Sequence, residues 1–487
     1  MSYIGNGTKS RTGPNNRMGR SPGLTIKISG TQFYFLAAFI SLSATLIFVT
    51  WPVAMMYTAL AIFAGLALNA AARSERFTWI VLVALLGCSG QTLKAGFITI
   101  LPEHVALVIL ASHIIFNSSN IAAGVRFSSW IKLAAWSAAL WILTAFVTSA
   151  IYAVQPLQSI RLTLWLTIGL ATVVLIHRTR LDAARMAIDA AYTIVAYSIF
   201  SIAGWALSPA GSESIFVEQD YASSYQRAQG LMLEPNLAAS YVCAFLALSL
   251  AFYRDLSKRL FYAQALLSIV LVALSVTRTV IPIVIAFTLI YFLLTAKPLF
   301  KGIVVAAIVA TVVALQIGAA SLTITVTNDS SELVVTAANR LNEFGSTDTG
   351  TGRLRAETTD QALSEIASAN PFIGRGTNAY PQTHSSNQSS TGQVYFGFWW
   401  IALIYDVGLI GFIFFCTAFA ATAFGIGIRS LPLLLSFSLI AVTTNPIWYG
   451  FYWAALGVLV KWRSNQTTRG IVEVAKPKRQ VDYAHSI

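Results

Sequence analysis

Residues 396–424 read FGFWWIALIYDVGLIGFIFFCTAFAATAF, and they decide the fold. Asp406 is the only charge in these 29 residues. A helix crosses the hydrocarbon core of a bilayer with about 20 apolar residues. Here the apolar residues are continuous rather than alternating, which predicts a helix and excludes a barrel strand. Runs of the same kind lie near 32–50, 53–72, 77–97, 101–117, 133–153, 162–177, 186–208, 232–253, 260–277, 280–296, 302–321, 430–445 and 447–461. The pairs at 77–117 and 430–461 are spaced tightly enough to be re-entrant. Of the 487 residues, 56% are hydrophobic and 10% charged, against about 25% charged in an ordinary soluble domain. The chain therefore reads as an all-α integral membrane protein, a polytopic bundle of about 12–14 transmembrane helices.

Charge orients the bundle. With the N-terminus inside and the spans alternating, 24 of the 32 lysines and arginines fall on the cytoplasmic side, as the positive-inside rule requires. Both termini are then cytoplasmic. The net charge of +13 follows mostly from this asymmetry and does not imply nucleic-acid binding. Residues 1–31 read as a disordered basic cytoplasmic tail, with no signal-peptide pattern. The bundle occupies 32–321, a large external loop with short helices 322–395, further transmembrane helices 396–461, and a second basic tail 462–487. Cys88, Cys243 and Cys416 all fall in spans, so neither a disulfide framework nor a metal site is expected.

The few external arginines stand out against this pattern. Arg227 opens a run that ends in Glu234-Pro235-Asn236. That triplet sets a carboxylate, a helix-start proline and an amide at a helix N-terminus, an end that favours anions. A capped span with a snorkelling arginine explains the same residues. Arg278, in Ser275-Val276-Thr277-Arg278-Thr279, is either an interfacial anchor or a planar fork matched to phosphate oxygens. In the loop, Gly352-Arg353 opens a helical pattern with Leu363, Ile366 and Ala367 on one face and Arg353, Glu357 and Asp360 on another. Arg355 lies nearer the apolar side. Asn370-Pro371 ends that helix and Gly374-Arg375-Gly376 forms a turn. His384 is the one histidine that this topology sets in a long external loop, where a histidine is either simply solvated or available for proton transfer.

In order and spacing these pieces resemble the O-antigen ligase/polymerase family of bacterial membrane glycosyltransferases. Members show Arg-x-x-Gly-x-x-x-Asp-Pro-Asn before a span, Ser-Arg at the external end of a later one, and a large loop with Gly-Arg, Pro-Leu-x-Gly-x-Gly and a histidine. The next span carries an acidic residue and Gly-Leu-x-Gly. The counterparts are Arg227, Gly230 and Glu234-Pro235-Asn236; Thr277-Arg278; Gly352-Arg353; Pro371 to Gly376; His384; and Asp406 to Gly411. The likeness covers roughly 225–425. Glu234 replaces the usual aspartate, and residues Asn387 to Tyr395 look inserted between the histidine and the next span.

The resemblance implies transfer of a glycan from a polyprenyl-diphosphate carrier to an acceptor hydroxyl of a glycan or lipid, with inversion, on the external face of the bacterial inner membrane. It implies His384, Arg278, Arg353 and Glu234 as catalytic, and Arg227, Asn236, Arg355 and Arg375 as substrate-binding, with no metal or cofactor. Arginines would stabilise charge on the leaving diphosphate, and His384 or Glu234 would take the acceptor's proton. Ligase and polymerase are not separable from the sequence. The other class of reading is a transporter or flippase of lipid-linked oligosaccharide. That reading requires mid-membrane charge and repeat symmetry; Asp189 is the main candidate for such a charge, and no internal repeat is visible.

Overall fold

The computed structural model describes residues 73–89, 93–95, 98–116, 127–208, 214–219, 226–232, 234–276, 283, 286–291, 350–384, 399–441 and 445–475, the backbone alone at 93–95, 98–99, 219, 350–356, 446 and 467–475. The expected tails at 1–31 and 476–487, the spans at 32–72 and 302–321, Arg278, and the Asn387–Tyr395 insertion lie outside the described residues.

The fold is all-α and polytopic. Its helices are α1 (Glu75–Leu86), α2 (Pro102–Phe116), α3 (Ser129–Ile151), α4 (Pro156–Arg178), α5 (Ala183–Leu207), α6 (Pro235–Ala251), α7 (Lys258–Ser275), α8 (Gly350–Ser368), α9 (Tyr380–Thr383), α10 (Trp399–Ile426), α11 (Leu431–Ile440) and α12 (Gly450–Ala475). Among the described residues, α3, α4, α5, α7 and α10 are each long and apolar enough to cross a membrane. Among the described residues, two small antiparallel pairs of strands join them: β1 (Leu93–Ala95) with β2 (Ile98–Ile100), and β3 (Val217–Gln219) with β4 (Gln226–Ala228).

Helix α6 is the centre of the bundle. Every residue from Pro235 to Ala251 except Asn236 is buried, as expected of a helix that is apolar all round. Small residues let its neighbours close on one another. Gly169 of α4 faces the Trp453 indole of α12, and Gly457 of α12 faces Ile176. On α3, Trp141 meets Phe415 of α10 edge to face at 5.1 Å. The outer face of α3 shows Leu133, Trp136, Leu140, Leu143 and Val147 at helical spacing, all exposed. Such an apolar stripe on the outside of a bundle is suited to lipid.

The run at 77–97 is not one helix. Helix α1 stops at Leu86, where the Gly87 N–H closes back on Ala84 and Leu85, and the β1–β2 hairpin follows. At the other end of the chain, α12 continues to Ala475, well past 461. Lys461 does not open a tail: it is buried and donates to the carbonyls of His177 and Thr179 at the end of α4, groups that a helix C-terminus leaves without partners. Asp189 is not a mid-bundle charge either. It lies in the second turn of α5, paired through two bonds with Arg76 (2.7 and 2.8 Å) and with Arg185 (3.4 Å). Arg76, Arg180, Arg185, Lys461 and Arg429, which pairs with Asp255, belong to one basic end of the bundle. The loop described next belongs to the opposite end.

Candidate active site

Helix α10 is broken so that a loop can enter it. Gly408 has φ +69° inside the helix, a conformation that only glycine adopts at little cost. Around the break, the Leu409 N–H leaves its helical partner and donates to the Pro371 carbonyl (2.9 Å). The freed carbonyls of Tyr405 and Asp406 accept from Arg375 N (3.0 Å) and Gly376 N (2.9 Å). The two backbones approach so closely that a Cβ on Gly374 would lie 2.1 Å from the Asp406 carbonyl oxygen. The Asp406 carboxylate accepts from the N–H groups of Asn378 (2.8 Å) and Ala379 (3.2 Å), just before α9. The loop is pinned to α3 and α4 as well: Thr377 meets Ser149 and Thr163, and Gln382 meets Ser159 and the Gln155 N–H. The Pro371–Gly376 and Asp406–Gly411 motifs are therefore two halves of one joint.

This joint holds a polar cluster. The His384 Nε2 lies 2.7 Å from Glu365 Oε1. The other oxygen of Glu365 accepts from Arg375 Nη1 and from the Tyr405 hydroxyl (2.8 Å). Arg375 also donates to the Glu365 carbonyl (3.1 Å) and to the Tyr405 hydroxyl (2.8 Å), and it sits over the Tyr405 ring. The imidazole of His384 stacks on Tyr380 at 4.2 Å, and the Tyr380 hydroxyl donates to Gln361 (3.0 Å). The His384 Nδ1 faces the Thr383 hydroxyl at 2.7 Å and the Tyr380 carbonyl at 3.2 Å. Burial works to raise the Glu365 pKa. The Tyr405 hydrogen bond and the charges of His384 and Arg375 outweigh it and hold the carboxyl below its ordinary value. Burial, with the nearby Glu365 charge, pushes the Tyr380 phenol up to about 12. The cluster thus contains an ionised carboxylate locked to an imidazole.

Of the residues expected from the sequence, His384 and Arg375 meet here. Arg353 and Arg355 lie on the first turns of α8, the helix that carries Glu365. Arg227 sits elsewhere, on β4 and buried. It donates to the Ser275 carbonyl at the end of α7 (3.0 Å) and to Asn236 (3.3 Å), and lies 3.8 Å from Glu218. Glu234 caps α6 through its backbone carbonyl, which accepts from Leu237 and Ala238. Arg227 and Asn236 therefore fasten the start of α6 to the end of α7, three residues before Arg278.

The inward face of α8 differs from the expected one. Leu363 and Ala367 are exposed, and of the expected face only Ile366 packs inward, with Ala362, against Tyr380 and Tyr405; Thr358 is buried and Glu365 half-buried. Counting apolar residues missed this face because its purpose is polar. Thr358, Ala362 and Glu365 fall at i, i+4 and i+7, a helical stripe that was legible once a small-and-polar inward face was considered. Glu365, Tyr380, Tyr405 and Gln361 were all overlooked.

A bundle of apolar helices, five of them long enough among the described residues to cross a membrane, defines a multi-pass membrane protein with a polar joint at one end. Residues 263–416, from within α7 to within α10, match the family model described as O-antigen ligase. That match, over about a third of the chain, supports the O-antigen ligase/polymerase family. It points to a ligase- or polymerase-type glycosyltransferase, and with the apolar helices it suggests a multi-pass bacterial membrane protein. A search of curated proteins finds no match to the chain.

Proposed function

We propose that the protein moves a glycan from a polyprenyl-diphosphate carrier to an acceptor hydroxyl of a glycan or lipid on the external face of the inner membrane, with both termini in the cytoplasm. The observation that carries this reading is the 2.7 Å pairing of His384 with Glu365 on a loop clamped to α10. It supplies a proton acceptor at the end of the bundle opposite the basic turns. In the proposed step the acceptor oxygen attacks the anomeric carbon and its proton passes to His384. The bond from that carbon to the diphosphate oxygen breaks, and its electron pair leaves with the polyprenyl diphosphate. Arg278 and Arg353 stabilise that charge by bidentate contact, which makes the transfer metal-independent. Arg355 lies near enough to Arg353 in sequence to assist it. Arg227 and Asn236 act on the donor indirectly, by fixing the end of α7 that leads to Arg278. Residues 322–395 form the catalytic loop between the two transmembrane parts, 32–321 and 396–461.

The test is reconstitution in lipid nanodiscs with a polyprenyl-diphosphate glycan and an acceptor saccharide. Release of polyprenyl diphosphate together with a glycosylated acceptor is expected, in the presence of a chelator. Movement of the intact lipid-linked glycan across a vesicle membrane, without release, would instead establish the transporter reading.

A further inference from the structure

His384 has two ring nitrogens, and only one can carry a proton in the neutral ring. Which one decides whether the ring can act as a base toward a hydroxyl, and in which direction. Glu365 settles the matter geometrically. An ionised carboxylate only accepts hydrogen bonds, so its contact with Nε2 at 2.7 Å requires Nε2 to be the protonated nitrogen. Nδ1 is then bare. The Thr383 hydroxyl lies 2.7 Å from it and shares its proton between Nδ1 and the Tyr380 carbonyl (3.0 Å), which is itself 3.2 Å from Nδ1, so a hydroxyl can reach this nitrogen in hydrogen-bonding geometry. Thr383 is itself exposed, which sets this side of the ring toward solvent. The Tyr380 ring beneath the imidazole, at 4.2 Å and tilted by 20°, opposes rotation about the Cβ–Cγ bond.

We propose that Glu365 is the positioning residue of His384: it holds the Nε2 proton, leaves Nδ1 as the site that takes the acceptor's proton, and stabilises the imidazolium that results. This deepens the reading of His384 as the base and rests on it. Glu365 is not itself the proton acceptor, because its two oxygens are occupied by His384 on one side and by Arg375 and Tyr405 on the other. Arg375 is then a second positioning residue. Its guanidinium is turned to Glu365 and Tyr405, which fix the carboxylate so that one oxygen points at the imidazole. The ionisable groups around His384 are Glu365 from α8, Tyr380 from α9, Tyr405 from α10 and, through Glu365, Arg375 from the loop. Among these, Glu365 alone is an anion in contact with the ring.

The experiment combines spectroscopy on the unaltered protein with a pH–rate profile of a variant. In ¹⁵N-histidine-labelled protein in nanodiscs, His384 is identified by the signals lost in His384→Ala. The neutral ring is expected as the Nε2-protonated tautomer throughout. A neutral ring protonated at Nδ1 would overturn the proposal without recourse to any Glu365 variant. In Glu365→Gln the amide keeps the shape but loses the charge. Transfer is expected to fall about 10²-fold, the lower end of what a general base contributes. The acid limb of the profile should move to lower pH, since the imidazolium loses its counter-charge, while KM for the lipid-linked donor stays the same. A merely structural Glu365 would lower the rate without moving the limb, and that outcome also overturns the proposal. If His384→Ala retains the wild-type rate, the base reading itself fails. If His384→Ala is inactive while Glu365→Gln keeps the wild-type profile, only the role of Glu365 is lost.

Discussion

His384→Ala should lower transfer about 10²–10⁴-fold, the usual contribution of a general base, and leave donor binding intact because the arginines hold the diphosphate. The pH profile sharpens this. Transfer by the wild type should fall as pH is lowered and the base becomes protonated. Glu365 does not produce that limb. Its carboxyl is held below the ordinary value, so its contribution is complete above the ordinary carboxylate range and is lost only as pH falls through that lower value. Glu234→Gln tests the competing base: an unchanged profile is expected, and a vanished acid limb would transfer the role to Glu234. At Arg278 and Arg353, alanine should abolish transfer without affecting insertion, and lysine should rescue poorly because an ammonium cannot make a bidentate phosphate contact. Full activity of Arg278→Lys, measured as polyprenyl diphosphate released, would make that residue an anchor. His384 and Arg375 stood out in the sequence because each is a charged or titratable group on the side that the charge pattern leaves with few of them. Glu365 was not, since one carboxylate on a polar helix looks like any solvated residue until its face is known.

At the scale of elements, the sequence motifs turn out to be backbone geometry. The glycines of Gly374-Arg375-Gly376 and of Asp406-Val407-Gly408 carry no chemistry of their own. Gly374 permits a backbone-to-backbone contact, and Gly408 permits a break in α10. Gly374→Ala would place a methyl 2.1 Å from the Asp406 carbonyl, so the loop cannot remain docked. Transfer should be lost while α10 still inserts. Hydrogen exchange should rise at Arg375, Gly376, Asn378 and Ala379, the amides that the joint protects. Unaltered exchange at these four amides, with activity retained, would show that the close approach does not form. The start of α6 followed from the sequence at Pro235, whereas the caps at Ser128, Asp182 and Ser257 lie a few residues ahead of the apolar runs at 133, 186 and 260. Helix boundaries did not follow at 77–97 and 447–475. There the apolar count continues through the Gly87 stop, and it ends at Lys461 although the helix itself goes on.

For the molecule as a whole, hydropathy sufficed to give the class, because it rests on transfer free energies summed over many residues; the sorting of the turns by charge is an expectation of the positive-inside rule. The contacts between turns add an independent argument. Arg76 with Asp189, the Glu75 carboxylate with the Arg180 N–H, Lys461 with the end of α4 and Arg429 with Asp255 join the starts of α1 and α5 and the ends of α4, α6 and α10, with α12 held at its middle. All of these are turns that the positive-inside rule assigns to the cytoplasm. The Glu365–His384 cluster hangs from the other ends of α3, α4 and α10. The proposed chemistry needs that cluster outside, where a lipid-linked donor and its acceptor meet. Cysteine labelling in spheroplasts with a membrane-impermeant maleimide tests this arrangement. Asp360→Cys, on the exposed face of α8, should react in intact spheroplasts. Thr25→Cys and Gln480→Cys should react only after lysis. The native Cys243 is buried and Cys88 and Cys416 are half-buried in the bundle, so the unsubstituted protein sets the background. Labelling of Thr25→Cys before lysis, with Asp360→Cys protected until lysis, would invert the bundle. It would put His384, Glu365 and Arg353 on the side where nucleotide-activated sugars are available, and the polyprenyl-diphosphate donor would lose its physical rationale.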